Sequence, residues 1–305
     1  MLSERRADGV VVWAPAKVNL FLEVLGKRAD GYHEIATLMV AVSLYDTLEF
    51  KEEASPHILL RCDHPDLSPG PDNLVYRAAD LLRRRGGVER GVRISLRKRI
   101  PMAAGLAGGS ADAAATLWGL NLLWRLGRTR GELAALGAEL GSDVPFFFWS
   151  PAAWCTGRGE RVAPVALGRP LDLVLVCPEV GLSTAAVYGG VTVPERPQSG
   201  EEIRAAAAAG DVVEIGRRLH NRLQPVAERL CPEVAELHRL LAALGPAGQL
   251  MSGSGTSLFA LCRNGSEAQR VARALRRGAG EGTSPGETAG DGARRAKRFV
   301  VRSCF

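Results

Sequence analysis

Pro101-Met102-Ala103-Ala104-Gly105-Leu106-Ala107-Gly108-Gly109-Ser110-Ala111-Asp112-Ala113-Ala114-Ala115-Thr116-Leu117 is a loop of small residues running into an alanine-rich helix. Before it, Gly91-Val-Arg-Ile-Ser-Leu-Arg-Lys-Arg-Ile100 alternates apolar and polar residues as a strand does. The order is therefore strand, small-residue loop, helix N-terminus. Free N–H groups and the positive end of the helix dipole meet there, which favours an anion and above all a phosphate. Glycine lets the backbone come close to phosphate oxygens. The same glycines can also serve only to pack a helix tightly on a strand.

Two common phosphate motifs are excluded. No Lys-Ser or Lys-Thr follows the glycines, so this is not G-x-x-x-x-G-K-[ST]. Gly105, Gly108 and Gly109 have the wrong spacing for a dinucleotide fingerprint, and the region where its acidic residue would fall offers Arg125, Arg128 and Arg130.

The chain has 305 residues, enough for two ordinary domains, and its 46% apolar content is that of a soluble globular protein. It contains no apolar run of membrane-spanning length, and its first dozen residues do not read as a signal peptide. The cysteines at 62, 155, 177, 231, 262 and 304 are scattered without a C-x-x-C, and several sit in strand-like apolar runs. They read as reduced core residues, which fits a cytoplasmic location. The histidines show no metal-ligand spacing. The net charge of +6 includes basic clusters at 83–85, 97–99 and 294–298. These read as solvated faces or as attraction for a polyanionic small molecule. Aromatic residues do not interleave with them, so no nucleic-acid partner is expected.

The pattern predicts strands at Val10–Trp13, Ala16–Leu25, Ile35–Val42 and Thr47–Phe50, with a hairpin break at Lys27–Gly31. A helix over Asn73–Arg85 has Asp72 as its expected N-cap. Val92–Leu96 is a strand, Ser110–Leu126 a helix, and Arg130–Leu140 a helix closed by Gly141. A second α+β pattern starts after about residue 155. It has strands at Leu171–Cys177, Gln249–Met251, Ser257–Cys262 and Arg298–Arg302, and helices at Glu201–Ala209, Val212–Leu219, Glu233–Leu244 and Glu267–Arg277. Residues 278–295 lack apolar periodicity and read as a flexible loop.

Three further segments carry polar residues where an apolar run or an ordinary turn would not need them. Lys17 and Asn19 lie two apart in Pro15-Ala-Lys-Val-Asn-Leu20, so they share one face of a strand. Gly26-Lys-Arg-Ala-Asp-Gly-Tyr-His33 is a turn ending in Tyr32 and His33. Leu140-Gly-Ser-Asp-Val-Pro-Phe146 puts Asp143 just past a helix end beside Phe146, Phe147, Phe148 and Trp149. Partial desolvation there suits a group that handles protons.

Taken together, Pro15–Leu20, Pro101–Ala111 and Met251-Ser-Gly-Ser-Gly-Thr-Ser257 resemble, in order, the three motifs of the GHMP small-molecule kinases. Within that superfamily, Lys27–His33, Asp72-Asn73-Leu74 and Leu140–Pro145 are similar to the branch acting on 4-diphosphocytidyl-2-C-methyl-D-erythritol in the non-mevalonate isoprenoid pathway. The resemblance runs from about residue 11 to the last strand, leaving out 278–295. It implies an α+β protein of two domains: a ribosomal-S5-like β-α domain over 1–155 and a ferredoxin-like α/β sandwich over 156–305, with the site in the cleft between them. It implies ATP as donor, Mg²⁺ as its companion, and the 2-hydroxyl of the methylerythritol moiety as acceptor. Asp143 would be the base and Lys17 its cationic neighbour. Asn19, Tyr32 and His33 would hold the substrate, Tyr188 would stack on its base, and Asn73 and Lys98 would lie near the adenine. The partner is thus a small molecule, and the protein a monomer or weak homodimer without nucleic acid or membrane.

The loop departs from the family's usual G-G-G-L-G-G-G-S-S. Ala103, Ala104, Ala107 and Ala111 stand in it, and alanine is expected only where φ is negative and its Cβ is free. With Ala111 in place of a serine, Ser110 is the remaining hydroxyl for Mg²⁺. A homoserine- or mevalonate-type kinase, or a noncatalytic nucleotide- or RNA-binding protein on the same scaffold, stays open at this point.

Overall fold

The computed structural model describes residues 1–280 and 296–304. Strands β1 (Leu2–Arg6), β2 (Gly9–Lys27), β3 (His33–Glu53) and β4 (Ile58–Cys62) are followed by helix α1 (Leu74–Gly86) and strand β5 (Gly91–Arg97). Helices α2 (Gly108–Leu123), α3 (Arg130–Leu140) and α4 (Phe146–Trp149) come next, then strands β6 (Ala152–Gly157), β7 (Arg161–Pro164) and β8 (Asp172–Cys177). Helices α5 (Thr184–Gly189), α6 (Glu201–Ala209) and α7 (Val212–Arg218) lead to the short strand β9 (His220–Asn221) and to α8 (Gln224–Leu230) and α9 (Pro232–Ala243). The chain ends with β10 (Gly248–Met251), β11 (Leu258–Cys262), α10 (Gly265–Gly280) and β12 (Lys297–Arg302).

Two sheets organise these elements. The first has the order β1-β2-β3-β5-β4, with β6 on β3, β7 on β6 and β9 on β2. The second is antiparallel, β10-β11-β8-β12. The helices α1–α4 cover one face of the first sheet over a core that includes Phe50, Leu82, Leu117 and Phe146. The second sheet is covered on both faces. Leu173, Leu175 and Phe259 pack with α6, α7 and β2 on one side, and Val174, Val176 and Ala260 with α8, α9 and α10 on the other. This is the α+β architecture that the motifs imply.

Where four strands were expected between residues 10 and 50, the chain makes two long ones. Pro15 would interrupt a regular ladder, but it lies at a register shift between Pro15 and Ala16, where a missing N–H does no harm. The long hairpin turns at Arg28–Tyr32, closed by Arg28 N donating to Tyr32 O at 2.8 Å, and sets Lys27 opposite His33. The first half of β3 pairs with β6 and the second half with β5. One strand thus carries the hairpin's His33 and the wall of the glycine loop.

Several boundaries differ from the sequence reading. Asn73, not Asp72, caps α1: its Oδ1 accepts from Val75 N at 2.9 Å. Helix α2 begins at Gly108, not Ser110, and stops at Leu123. Gly141 follows α3 with φ 178°, extended rather than left-handed. Strands β1, β4, β6, β7 and β9 and helices α4, α5 and α8 are additional, and α10 continues through residues 278–280. The rest of the loop expected over 278–295 lies outside the described residues. Cys155, Cys177, Cys231 and Cys262 are buried as free thiols in the core.

Candidate active site

The alternation of β2 decides which residues reach the cleft. Ala16, Val18 and Leu20 pack into the core, and Lys17 and Asn19 take the other face, although both are buried. Asn19 Nδ2 donates to Thr37 Oγ1 at 2.8 Å, so its Oδ1 is turned to accept Lys17 Nζ at 2.7 Å. Lys17 Nζ also donates to the Gly105 carbonyl at 2.9 Å and lies 3.7 Å from Asp143 Oδ2. Burial pulls the lysine's pKa down, and the Asp143 carboxylate works against that pull.

The glycine loop crosses in front of this lysine. Helix α2 has no side-chain cap at its start, and the first bond back into its N-cap is Ala111 N to Ala107 O at 2.9 Å. The N–H groups of the turn before it are the orphan donors that favour an anion. Gly105 has φ +74°, and a Cβ there would stand 2.1 Å from the Ser252 carbonyl oxygen. Gly108 is required for a different reason: it is helical, but a Cβ would meet Ile100 Cγ2 at 2.9 Å. The alanines contradict the expectation stated for them. Ala103 has φ 51° and Ala107 φ 54°, a region that costs an L-residue about 1–2 kcal/mol. The neighbouring strand and the 252–257 loop hold them there, as their hydrogen bonds to residues 104–106 show.

Lys98 and Asn73 both line the cleft, yet each is already engaged. The Asn73 amide caps α1 and donates to Ser68 O at 2.9 Å. Lys98 Nζ is clamped between Asp46 and Asp112, with Asp112 Oδ2 at 2.7 Å. Asp46 is fully buried and also accepts from the amides of Arg99 and Ile100. Burial pushes the Asp112 carboxyl up against the pull of Lys98, and its Oδ1 has no partner. Nothing in the local sequence marks this cluster, because Lys98 and Asp46 are 52 positions apart.

At the other end of the cleft His33 and Tyr188 form a ring pair with centroids 5.2 Å apart. Tyr32 is 53% exposed and carries the Arg158 guanidinium over its ring, 4.9 Å from the centroid. Arg158 was not foreseen, although an arginine between two glycines, Gly157 and Gly159, is a sequence signal for an exposed turn. Asp143 sits in the turn after α3 with its side chain 31% exposed.

A single cleft of about 1090 Å³ joins all of these. Lys17, Asn19, Tyr32, His33, Asn73, Lys98, Asp143 and Tyr188 line it, as do residues 101–105 and 107–110. Leu106 and Ala111 do not; their side chains are in the core. Among the described residues no group of three or more His, Cys, Asp or Glu could hold a metal by itself. Ser110 Oγ faces the turn that carries Asp143, 3.8 Å from where a Cβ on Gly141 would lie. A lone hydroxyl fits Mg²⁺, which uses few protein ligands alongside phosphate oxygens and water.

The family model for the GHMP kinases N terminal domain matches residues 73–150, and that for the GHMP kinases C terminal matches residues 203–281. A 4-diphosphocytidyl-2-C-methyl-D-erythritol kinase of Pelotomaculum thermopropionicum is 46% identical over 270 residues, covering 88% of this chain and 94% of that protein. A crystal structure of 4-(cytidine 5'-diphospho)-2C-methyl-D-erythritol kinase superposes with a TM-score of 0.77 at 38% identity, covering 97% of this chain and 100% of the other. A homoserine kinase from Cytophaga hutchinsonii superposes with a TM-score of 0.74 at 19% identity, over 100% of this chain and 97% of its own, and shares the fold.

Proposed function

We propose the reaction from one premise: this chain belongs to the GHMP kinases. It transfers the γ-phosphoryl group of ATP to the 2-hydroxyl of 4-diphosphocytidyl-2-C-methyl-D-erythritol, a step in making isoprenoid precursors. The observation that carries this reading is the cleft itself. A lysine–carboxylate pair, Lys17 and Asp143 at 3.7 Å, stands beside an uncapped helix N-terminus, and an aromatic end formed by Tyr32, His33 and Tyr188 opens into the same space.

In this reading Asp143 takes the proton of the acceptor hydroxyl as its oxygen bonds to the γ-phosphorus. The bond from that phosphorus to the β,γ-bridging oxygen breaks, and ADP leaves. A hydroxyl is a poor nucleophile until a carboxylate within hydrogen-bond reach accepts its proton. Lys17, held by Asn19 and the Gly105 carbonyl, stands 3.7 Å from Asp143 and offers positive charge to the moving phosphoryl group. The loop over Pro101–Ser110 holds the nucleotide phosphates on its N–H groups, while Asn73 and Lys98 wall the adenine end through their fixed positions. Ser110 would meet a Mg²⁺ carried on the nucleotide, which would supply charge neutralisation at the phosphates. Asn19, Tyr32, His33 and Tyr188 hold the acceptor, its cytosine base against the rings.

No helix of the described residues is long and apolar enough to cross a membrane, and we place the enzyme in the cytoplasm. The test is ADP release by the purified protein with ATP and each of three alcohols: the cytidyl substrate, homoserine and mevalonate. The cytidyl substrate is expected to be preferred strongly. Equal turnover of homoserine or mevalonate overturns the choice of acceptor.

A further inference from the structure

Among the described residues, four lysine or arginine side chains line the cleft: Lys17, Lys27, Lys98 and Arg158. Lys17 is committed to Asn19, Gly105 and Asp143, and Lys98 to Asp46 and Asp112. Lys27 lies at the outer end of the β2–β3 hairpin, across from His33. Of the four, Arg158 is the one whose surroundings link the aromatic end to the proposed base. Its guanidinium covers Tyr32 at 4.9 Å, and its chain neighbour Gly159 lies against Asp143, with a Cβ position 3.6 Å from Asp143 Oδ1. Its contact with a carboxylate is long, 4.0 Å to Glu160, so the guanidinium is not tied down by a close ion pair.

The acceptor proposed above has a base at one end and a hydroxyl at the other, joined through a diphosphate. With the base on the rings and the hydroxyl at Asp143, the diphosphate must cross the stretch where Arg158 stands. We infer that Arg158 binds the diphosphate of the acceptor and, in the free protein, occupies the face of Tyr32 that the base takes on binding. This rests on the reading of the acceptor as a cytidine diphosphate conjugate.

The exchange is favourable on physical grounds. A cation over an exposed ring is weakly held, whereas a planar guanidinium makes two parallel charge-assisted bonds to a phosphate. Lysine would keep the charge but lose the fork. Moving the guanidinium off Tyr32 therefore frees a stacking surface and supplies the phosphate ligand in one motion. Glu160 lies 4.0 Å from the empty side chain and Asp30 feels its charge, contacts loose enough to give way to a phosphate.

The test is isothermal titration of the wild type, Arg158→Ala and Arg158→Lys with CDP and with cytidine, beside a turnover assay and a thermal melt. Arg158→Ala should weaken CDP by about 10- to 100-fold and change cytidine by no more than about threefold. Arg158→Lys should fall between for CDP, and the KM for ATP should stay level in both variants. Equal weakening of CDP and cytidine, or unchanged CDP affinity, overturns the inference. If Arg158→Ala fails to fold, the lysine variant decides: a CDP-to-cytidine affinity ratio like that of the wild type refutes the role. Wild-type protein that does not phosphorylate the cytidyl substrate removes the proposed function and this inference together. Wild-type turnover with an unselective Arg158→Ala removes the inference alone.

Discussion

Replacing Gly105 by alanine tests whether the phosphate loop is set by the contact between the two halves of the molecule. Two costs add at this position. The left-handed backbone, φ +74°, costs an L-residue about 1–2 kcal/mol. The new Cβ would also stand 2.1 Å from the Ser252 carbonyl oxygen, about 1.3 Å short of ordinary contact. Separating the two loops by that much stretches Ser252 Oγ to Gly105 O at 3.0 Å and Lys17 Nζ to the same oxygen at 2.9 Å beyond hydrogen-bond range. The neutral bond is worth about 0.5–1.5 kcal/mol and the charged one about 1.5–3 kcal/mol. Gly87→Ala is the control, because Gly87 has φ +61° and nothing within 4 Å of its Cβ position. It should cost the dihedral term alone, a loss in Tm of about 2–8 °C, with turnover unchanged. Gly105→Ala should lose at least twice that in Tm. Its kcat should fall about 10²-fold, because displacing the loop by about 1 Å moves both the nucleotide donors and Lys17. Differential scanning and steady-state turnover read both effects. If Gly105→Ala melts with Gly87→Ala and keeps kcat within threefold, the loop does not depend on its contact with Ser252.

Asp143→Asn keeps the shape of the proposed base but not its proton affinity, so kcat should drop about 10²–10⁴-fold while ATP still binds in a titration; turnover within a few-fold of wild type would remove Asp143 from that role. Lys98→Met leaves Asp46 and Asp112 buried without their cation, and urea unfolding should show a loss of about 3–5 kcal/mol. Adding Asp112→Asn to Lys98→Met should recover part of that loss, and an additive double variant would show that the three groups do not act together. Glu23 is buried on β2 and accepts two bonds from Arg222, one from His220 and the amides of Val24 and Gln198. Burial alone would raise its carboxyl, but these donors outweigh it and hold the pKa well below the ordinary 4.5. Its stabilisation is therefore present above about pH 4.5 and fades as the pH falls toward the folded value. Glu23→Gln should lower Tm at pH 7 and lower it less at pH 3; a constant difference across that range would contradict the linkage.

The parts of this site that the sequence reveals are those that depend on near neighbours. Lys17 and Asn19 share a face because a strand has period two, and they hydrogen-bond to each other as that spacing allows. The small-residue loop before α2 announces a helix start because alanine and glycine have no side chains to compete there. Helix α8 was missed although Pro225 near its start is compatible with a first turn. Lys98–Asp46, Arg158–Tyr32 and Ser252–Gly105 were out of reach for another reason. Each joins residues that only the closure of β3 on β5, of β6 on β3, or of the 252–257 loop on the first half brings together. The two alanines at positive φ depart from local preference because tertiary contacts hold a strained residue in place.

Those contacts sort the polar groups of the loop into two sets. The Ala104 carbonyl accepts Ser257 N at 3.2 Å, the Gly105 carbonyl accepts Lys17 Nζ and Ser252 Oγ, and the Leu106 carbonyl accepts Lys17 N at 3.1 Å. Three successive carbonyl oxygens, each a partial negative charge, are thus bound by the protein. An anion at the helix start would be repelled by free carbonyls and attracted by free N–H groups, so tying back the first leaves the second to act. This accounts for how alanine can stand at 103 and 107. The conformation is fixed from β2 on one side and from the 252–257 loop on the other, and glycine's freedom is indispensable only at Gly105, where the two sides touch. Lys17 is part of the same arrangement. Its backbone N–H and its ammonium hold consecutive carbonyls of the loop, so in the proposed reaction one residue both shapes the phosphate site and faces Asp143 across it.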